Sequence, residues 1–253
     1  MPEHDALEVS SAASRRRFFI DRVRRRGSRG AGSDLQALMA LPGKLHERHD
    51  LEKIGEIFQD VPVCLIGAHA AAAYAPERTT QDVDCFTMAA QYGAASKLLK
   101  ANGYRKDGDL TFTTTALGLF GSRWVPKESG PPLDLISTEQ SWGAEVFRKP
   151  GQFTKEGDRV IPLAYLVLMK LDAARSVDQG DLSRILGRLS DGELDAVAAV
   201  VKKHYSHDPA ALEDLRQYAE VGRWEYQIPK QTAVDSPSME FPSIDTPKHG
   251  RGR

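Results

Sequence analysis

Two aspartates stand on one face of a predicted strand in Asp82-Val83-Asp84. Successive strand side chains alternate, so Asp82 and Asp84 point one way while Val83 and Cys85 point the other. Carboxylates held about 7 Å apart along a strand repel each other unless positive charge lies between them. A divalent cation with oxygen preference meets that need, and Mg²⁺ takes one or two carboxylates together with substrate phosphates. A third carboxylate, Asp134, is the one charge in the apolar run Pro132-Leu133-Asp134-Leu135-Ile136, where an unpaired charge is costly. An isolated Asp-x-Asp reads first as a solvated strand edge or turn. The company of Asp134 and of an upstream glycine turn argues for chemistry instead.

That turn is Gly67, which ends the short apolar run Val63-Cys64-Leu65-Ile66 and opens an Ala-rich helix from Ala68 to Ala75. A strand–Gly–helix junction aims free backbone N–H groups and the positive end of a helix dipole at one point. Gly67, Ala68 and Ala70 are small enough to let a triphosphate approach the backbone, although simple close packing would select the same residues. Lys170 falls inside an apolar helical stripe of Leu163, Leu166, Val167 and Ala174. It either snorkels to the surface or carries its cation across a cleft to phosphate oxygens. Arg78 can bind a phosphate or pair with Asp82, and His69 can touch a phosphate or sit satisfied at a helix start. His204 and His207 read as surface residues, and Cys64 and Cys85 as inert members of buried strands. There is neither a nucleophile elbow nor a Gly-x-x-x-x-Gly-Lys loop, which disfavours a hydrolase or a P-loop NTPase.

The elements that must position these residues follow from periodicity and punctuation. Residues 50–60 read as a helix, 61–66 as a buried strand, 82–86 as an alternating strand, and 89–102 as a helix stopped by Gly103. Runs at 111–115, 117–124 and 132–137 read as strands. Pro162 starts a strong helix to about residue 177, and further helical stretches run to about 221. The order is α/β first and helical later. The expected fold is α/β (α+β): a mixed sheet with flanking helices, followed by a C-terminal helical subdomain. The divisions are an arm over 1–33, a core over 34–160, the helical part over 161–225 and a tail over 226–253.

The whole chain of 253 residues is 41% hydrophobic and 27% charged, with a net charge of −1, which describes an ordinary globular protein. No apolar run approaches a membrane span, the acidic start Met1-Pro2-Glu3-His4-Asp5 is no signal segment, and two cysteines make no disulfide framework. The expected compartment is the cytoplasm. The near-neutral total hides a basic arm: residues 11–30 hold eight arginines against one acid, Asp21. With Phe18, Phe19, Ile20 and Val23 interleaved, Arg15–Arg29 can bind nucleic-acid phosphates with aromatic stacking, or form an amphipathic helix packed on the body. The arm is expected to be flexible around Gly27–Ser33, and the Pro- and Ser-rich tail disordered.

Taken together, Gly67-Ala68, Asp82-Val83-Asp84 and Asp134 resemble the nucleotidyltransferase superfamily with the DNA polymerase β-like fold. Its signature is Gly-Gly or Gly-Ser, a short spacer, Asp-x-Asp, and a third carboxylate on a later strand. The finer form, Arg78-x-Thr80-x-Asp82-Val83-Asp84, looks like the bacterial branch that includes the AbiEii-type toxins. The likeness spans about residues 48–190. It implies that Asp82, Asp84 and Asp134 ligate Mg²⁺ or Mn²⁺ and that Asp134 helps to deprotonate the acceptor. It further implies that Gly67, Ala68, Arg78, Thr80 and Lys170 bind the NTP, such as ATP. The implied reaction moves an NMP to an acceptor: an RNA or tRNA end, a protein hydroxyl or a small molecule. A toxin-like member would also have an antitoxin protein partner. Ala68 departs from the usual Gly or Ser, which removes a hydroxyl contact but leaves the backbone N–H groups. The family's lysine, arginine and Asp-x-x-Asp pattern falls on Lys170, Arg175, Asp178 and Asp181, the last three expected to tie helices together by ion pairs. The alternative reading is a nucleotidyltransferase fold without turnover that binds nucleic acid or protein.

Overall fold

A computed structural model describes residues 11–27, 52–78, 80–112 and 116–226. In chain order the elements are α1 (Ala12–Gly27), α2 (Glu52–Ile57), β1 (Val63–Leu65), α3 (Gly67–Ala72), β2 (Val83–Thr87), α4 (Ala89–Ala101), β3 (Tyr104–Asp109), β4 (Leu119–Pro126), β5 (Leu133–Thr138), α5 (Ser141–Arg148), β6 (Gln152–Phe153), β7 (Arg159–Val160), α6 (Leu163–Ala173), α7 (Ser176–Leu186), α8 (Asp191–His204) and α9 (Ala210–Glu225). The strands form one seven-stranded mixed sheet in the order β3-β4-β5-β2-β1-β7-β6. The β2–β5 and β1–β7 pairs are parallel and the remaining pairs antiparallel. This is the mixed sheet with flanking helices, helical toward its end, that the pattern predicts.

Strand alternation sends apolar side chains to two cores. Leu65, Val83, Cys85, Leu133 and Leu135 pack with Ile54, Phe58, Ala95 and Leu99 beneath α2 and α4. Cys64, Ile66, Phe86, Ile136 and Val160 take the other face, under α3 and the later helices. That second core runs without interruption into Leu166, Leu182, Val197 and Leu215, so α6–α9 and the sheet bury one continuous apolar interior. The helices approach closest where α7 meets α9: a Cβ on Gly222 would lie 1.9 Å from the Ser183 carbonyl oxygen. Among the described residues no helix is long and apolar enough to cross a membrane.

Two local expectations differ from the structure. Of the strand expected at 111–115, residues 113–115 lie outside the described residues and 111–112 are not in a strand; an edge strand stands at Tyr104–Asp109, directly after the positive-φ Gly103. Only Tyr104 of that edge strand is buried, so Arg105-Lys106-Asp107 shows no apolar alternation to read. The helix expected through residue 177 breaks at Ala174, which adopts a left-handed conformation (φ 45°) and lets the chain turn into α7. A non-glycine residue there carries none of the usual stop signals. The α5 helix and the small β6–β7 ladder were not anticipated.

Of the two readings of the basic segment, a flexible arm or an amphipathic helix packed on the body, the second describes residues 12–27, which are helical and dock on the body. Arg16 is fully buried and acts as the pin: Nε donates to Asp214 (2.7 Å), Nη2 to Asp208 (2.5 Å) and Nη1 to the Leu171 carbonyl (3.0 Å). Ile20 and Val23 bury beside it. Of the arm, residues 1–10 and 28–33 lie outside the described residues, as does the tail from 227 onward.

Candidate active site

The parallel pairing of β2 with β5 places Asp84 opposite Asp134. Both lie on the face of Phe86 and Ile136, the face that α3 and α6 cover. Asp82 sits just ahead of β2, where the Thr80 hydroxyl donates to its Oδ1 (3.0 Å). Across β4–β5, Arg123 is the register partner of Asp134. Its Nη1 lies 3.5 Å from Asp134 Oδ2 and 3.8 Å from Asp82 Oδ2. One guanidinium thus bridges Asp82 and Asp134, and Asp84 stands opposite Asp134 in the strand register. Arg123 was not singled out from the sequence, because its role arises from a cross-strand register that no local pattern carries.

The electrostatics record the crowding. Burial, reinforced by the charges of Asp82 and Asp134, pushes the Asp84 carboxyl up to about 7. Asp134, 8% exposed, is also raised, by burial first and by Asp82, with Arg123 opposing. Its Oδ1 is buried and has no hydrogen-bond partner. Such an atom is expensive to leave unsatisfied.

Gly67 meets this cluster directly. It holds φ +62°, and a Cβ built on it would lie 1.9 Å from Asp84 Oδ2. The glycine is required by the Asp84 carboxylate packed against it and by its left-handed backbone. Ala68, next in α3, is buried. His69 has an unpartnered buried Nδ1, and burial lowers its pKa, with Asp82 opposing and Arg78 adding to the fall.

The cationic side is arranged differently from the sequence expectation. Lys170 is only 3% exposed, and its Nζ donates to Asp181 (2.7 Å) and Asp178 (3.3 Å). It ties α6 to α7 and does not stand open in the cleft. Asp181, fully buried, also accepts from Arg78 Nε (3.0 Å) and pairs with Arg184. Burial alone would raise Asp181, but Lys170 and Arg78 together hold it at about 2. Arg78 therefore anchors the loop before Thr80 and Asp82 to α7, whereas a phosphate or Asp82 contact was expected. Arg175 is the accessible cation, its side chain 70% exposed at the N-cap of α7. It donates to Asp178 (2.6 Å and 3.2 Å), and its charge acts on Asp84 and Asp134. The expected helix-tying role is visible for Asp178 and Asp181, which Lys170 of α6 joins, whereas Arg175 pairs with Asp178 at the start of its own helix.

Residues away from the cluster fall into structural roles. His204 is largely enclosed, contrary to expectation, and lies 3.1 Å from Glu145 Oε2, which the Tyr165 hydroxyl also contacts. His207 is exposed, set edge-on to Tyr205. Cys64 and Cys85 are buried free thiols whose pKa values are raised by burial.

The donor set suits a hard divalent cation: carboxylate oxygens on rigid strands, one of them without a partner, in a cluster that resists ionising. Among the described residues no three carboxylate, imidazole or thiol groups already close into a ligand cage. The arrangement therefore fits an ion whose shell is completed by phosphate oxygens and water.

No family model and no curated protein matches the chain. Among solved structures it is similar to a proposed nucleotidyltransferase from Helicobacter pylori, at 16% identity over 71% of this chain and 93% of that one, with a TM-score of 0.36. It is likewise similar to a proposed nucleotidyltransferase from Thermotoga maritima (14% identity, 55% and 92% covered, TM-score 0.38). A third similar structure is the antibiotic-resistance factor ANT(2'')-Ia (14% identity, 71% and 90% covered, TM-score 0.37).

Proposed function

We propose that the chain is a metal-dependent nucleotidyltransferase, moving a nucleoside monophosphate from an NTP to an acceptor hydroxyl with release of pyrophosphate. The observation that carries this reading is the opposition of Asp84 and Asp134 on adjacent parallel strands, with Asp82 beside them and one bridging arginine. A surface or core role gives no reason to crowd three carboxylates until one resists ionisation.

Asp82, Asp84 and Asp134 would hold Mg²⁺ or Mn²⁺. Bound there, such ions neutralise phosphate charge and stabilise the attacking and leaving oxygens of an in-line displacement. Gly67 keeps the Asp84 carboxylate in place by having no side chain of its own. Thr80 orients Asp82, and Arg78 fixes their loop to α7. Arg175, in place of Lys170, supplies the accessible positive charge for the triphosphate. Positioning and electrostatic stabilisation then carry the catalysis.

The acceptor hydroxyl belongs to an RNA or tRNA end, a protein or a small molecule. A toxin-like role with an antitoxin partner rests on the Arg78-x-Thr80-x-Asp82-Val83-Asp84 resemblance alone. The test incubates the protein with each α-³²P-labelled NTP, Mg²⁺ or Mn²⁺ and total RNA, beside an Asp82→Ala/Asp84→Ala variant. Label entering RNA or protein only with the native chain is the expected result. Absence of label with RNA, protein and small hydroxyl acceptors alike overturns the reading.

A further inference from the structure

The basic residues of α1 are not spread evenly around the helix. Arg16, Ile20 and Val23 face the body, while Arg17, Phe18, Asp21, Arg22 and Arg24 are exposed. Arg15, Phe18 and Arg22 recur at intervals of three and four, so they form one stripe. Phe18 stands on it with 66% of its surface exposed, and the Arg22 guanidinium lies 6.0 Å from its ring centroid.

The stripe has a direction. At one end the Arg15 guanidinium donates to the carbonyls of Ala174 (3.3 Å) and Ala173 (3.4 Å), where α6 gives way to Arg175. Arg175 is the accessible cation whose charge acts on Asp84 and Asp134. From Arg15 to Arg22 the stripe rises roughly 10 Å along the helix axis. It therefore runs along α1 from the α6–α7 turn that carries Arg175, over a span of a few phosphates.

We propose that this face of α1 docks a single-stranded polynucleotide, the acceptor strand, and presents its terminal hydroxyl to the Asp84–Asp134 cleft. Every base offers a ring face to an exposed aromatic, and every nucleotide a phosphate to a neighbouring guanidinium. A duplex keeps its bases stacked on each other and has none to give Phe18. A lipid surface would need an apolar sector, but here a lone ring rises among charges. Asp21 shares the exposed surface and Arg24 is engaged with Glu220 (3.0 Å), which leaves Arg17 and Arg22 as exposed cations among the described side chains.

The proposal deepens the transferase reading by naming its acceptor class, yet binding can be measured without NTP or metal. Fluorescence anisotropy of the full chain with a labelled single-stranded RNA dodecamer, a DNA dodecamer of the same sequence and a duplex RNA forms the assay. The expected result is binding of the single strands in preference to the duplex. Phe18→Ala is expected to weaken it about five- to tenfold, and Phe18→Trp to keep it. Arg22→Glu should weaken it and lower the salt slope by about one ion. Preference between RNA and DNA assigns the strand type, and either supports the dock. Equal binding by the native chain and Phe18→Ala overturns it. So does preference for duplex, or for anionic vesicles of phosphatidylserine and phosphatidylcholine. Both side chains are exposed, so unchanged thermal melts identify folded variants. Failure of NTP transfer with strand binding intact would count against the transferase reading alone.

Discussion

Asp84 faces Asp134 across two parallel strands, and burial, reinforced by the charges of Asp82 and Asp134, keeps it from ionising as a free carboxyl does. In an unfolded chain an aspartate titrates near 3.9, whereas in the fold Asp84 is pushed up to about 7. Between those values the folded state holds the extra proton, so stability falls as pH rises through that window. At neutral pH the loss is up to about 4 kcal/mol.

Asp84→Asn is therefore expected to raise the melting temperature of metal-free protein at pH 8, by about 2–8 °C, and by less at pH 5. Mn²⁺ should raise the melting temperature of the native chain at pH 8 and leave the variant unmoved. Thermal melts in EDTA and in Mn²⁺ at both pH values check this, and an equal Mn²⁺ shift in both proteins would sink it.

Asp181 behaves in the opposite sense. Held at about 2 by its cationic partners, it contributes stability above the ordinary carboxylate range that is lost as pH falls toward 2. Asp181→Asn leaves Arg184 buried beside a neutral partner and Lys170 with Asp178 alone. A loss of about 3–5 kcal/mol is expected at pH 7, read from urea unfolding, and it should shrink at pH 3.

Lys170 and Arg175 separate structure from substrate. Lys170→Met removes the buried ammonium between Asp178 and Asp181, leaving them only their arginine partners, and should cost about 2–3 kcal/mol of stability. Arg175→Ala leaves Asp178 with Lys170, so stability should change by less than about 1 kcal/mol. Nucleotide binding should weaken about tenfold, the scale of one hydrogen bond to a charged group. Titrating a non-hydrolysable NTP analogue in Mg²⁺ distinguishes the two; unaltered binding by a folded Arg175→Ala protein removes Arg175 from the site.

The docking of α1 rests on Arg16 between Asp208 and Asp214. Arg16→Met leaves both acids without their guanidinium and should lower stability by about 3–5 kcal/mol. Limited proteolysis should then cut first within residues 12–27; protection equal to that of the native chain would refute the pin.

Much of the site's placement was legible because it depends on short periods. The alternation around Asp82 and Asp84, the glycine at the end of β1 and the single charge in β5 each show within a few residues. What was missed depends on contacts between distant segments. Arg123 acquires its place from the β4–β5 register, which local sequence does not state. Lys170 read as a phosphate ligand or a snorkelling cation, and only the left-handed Ala174, which turns α7 back, brings Asp178 and Asp181 against it. The arginine-rich arm was read by composition, which cannot show that Arg16 would find two acids nearly 200 residues onward.

The contact between residue 67 and Asp84 also bears on how the sequence can drift. Any side chain at position 67 must first contend with the carboxylate that fills its space, and then with a backbone angle suited to glycine. Gly67→Ala alone is therefore barred while Asp84 remains, whereas shortening Asp84 opens half the way. In descendants that abandon the chemistry, position 84 should change before position 67. The two loci form a ratchet in which loss of the acid permits loss of the glycine, and seldom the reverse.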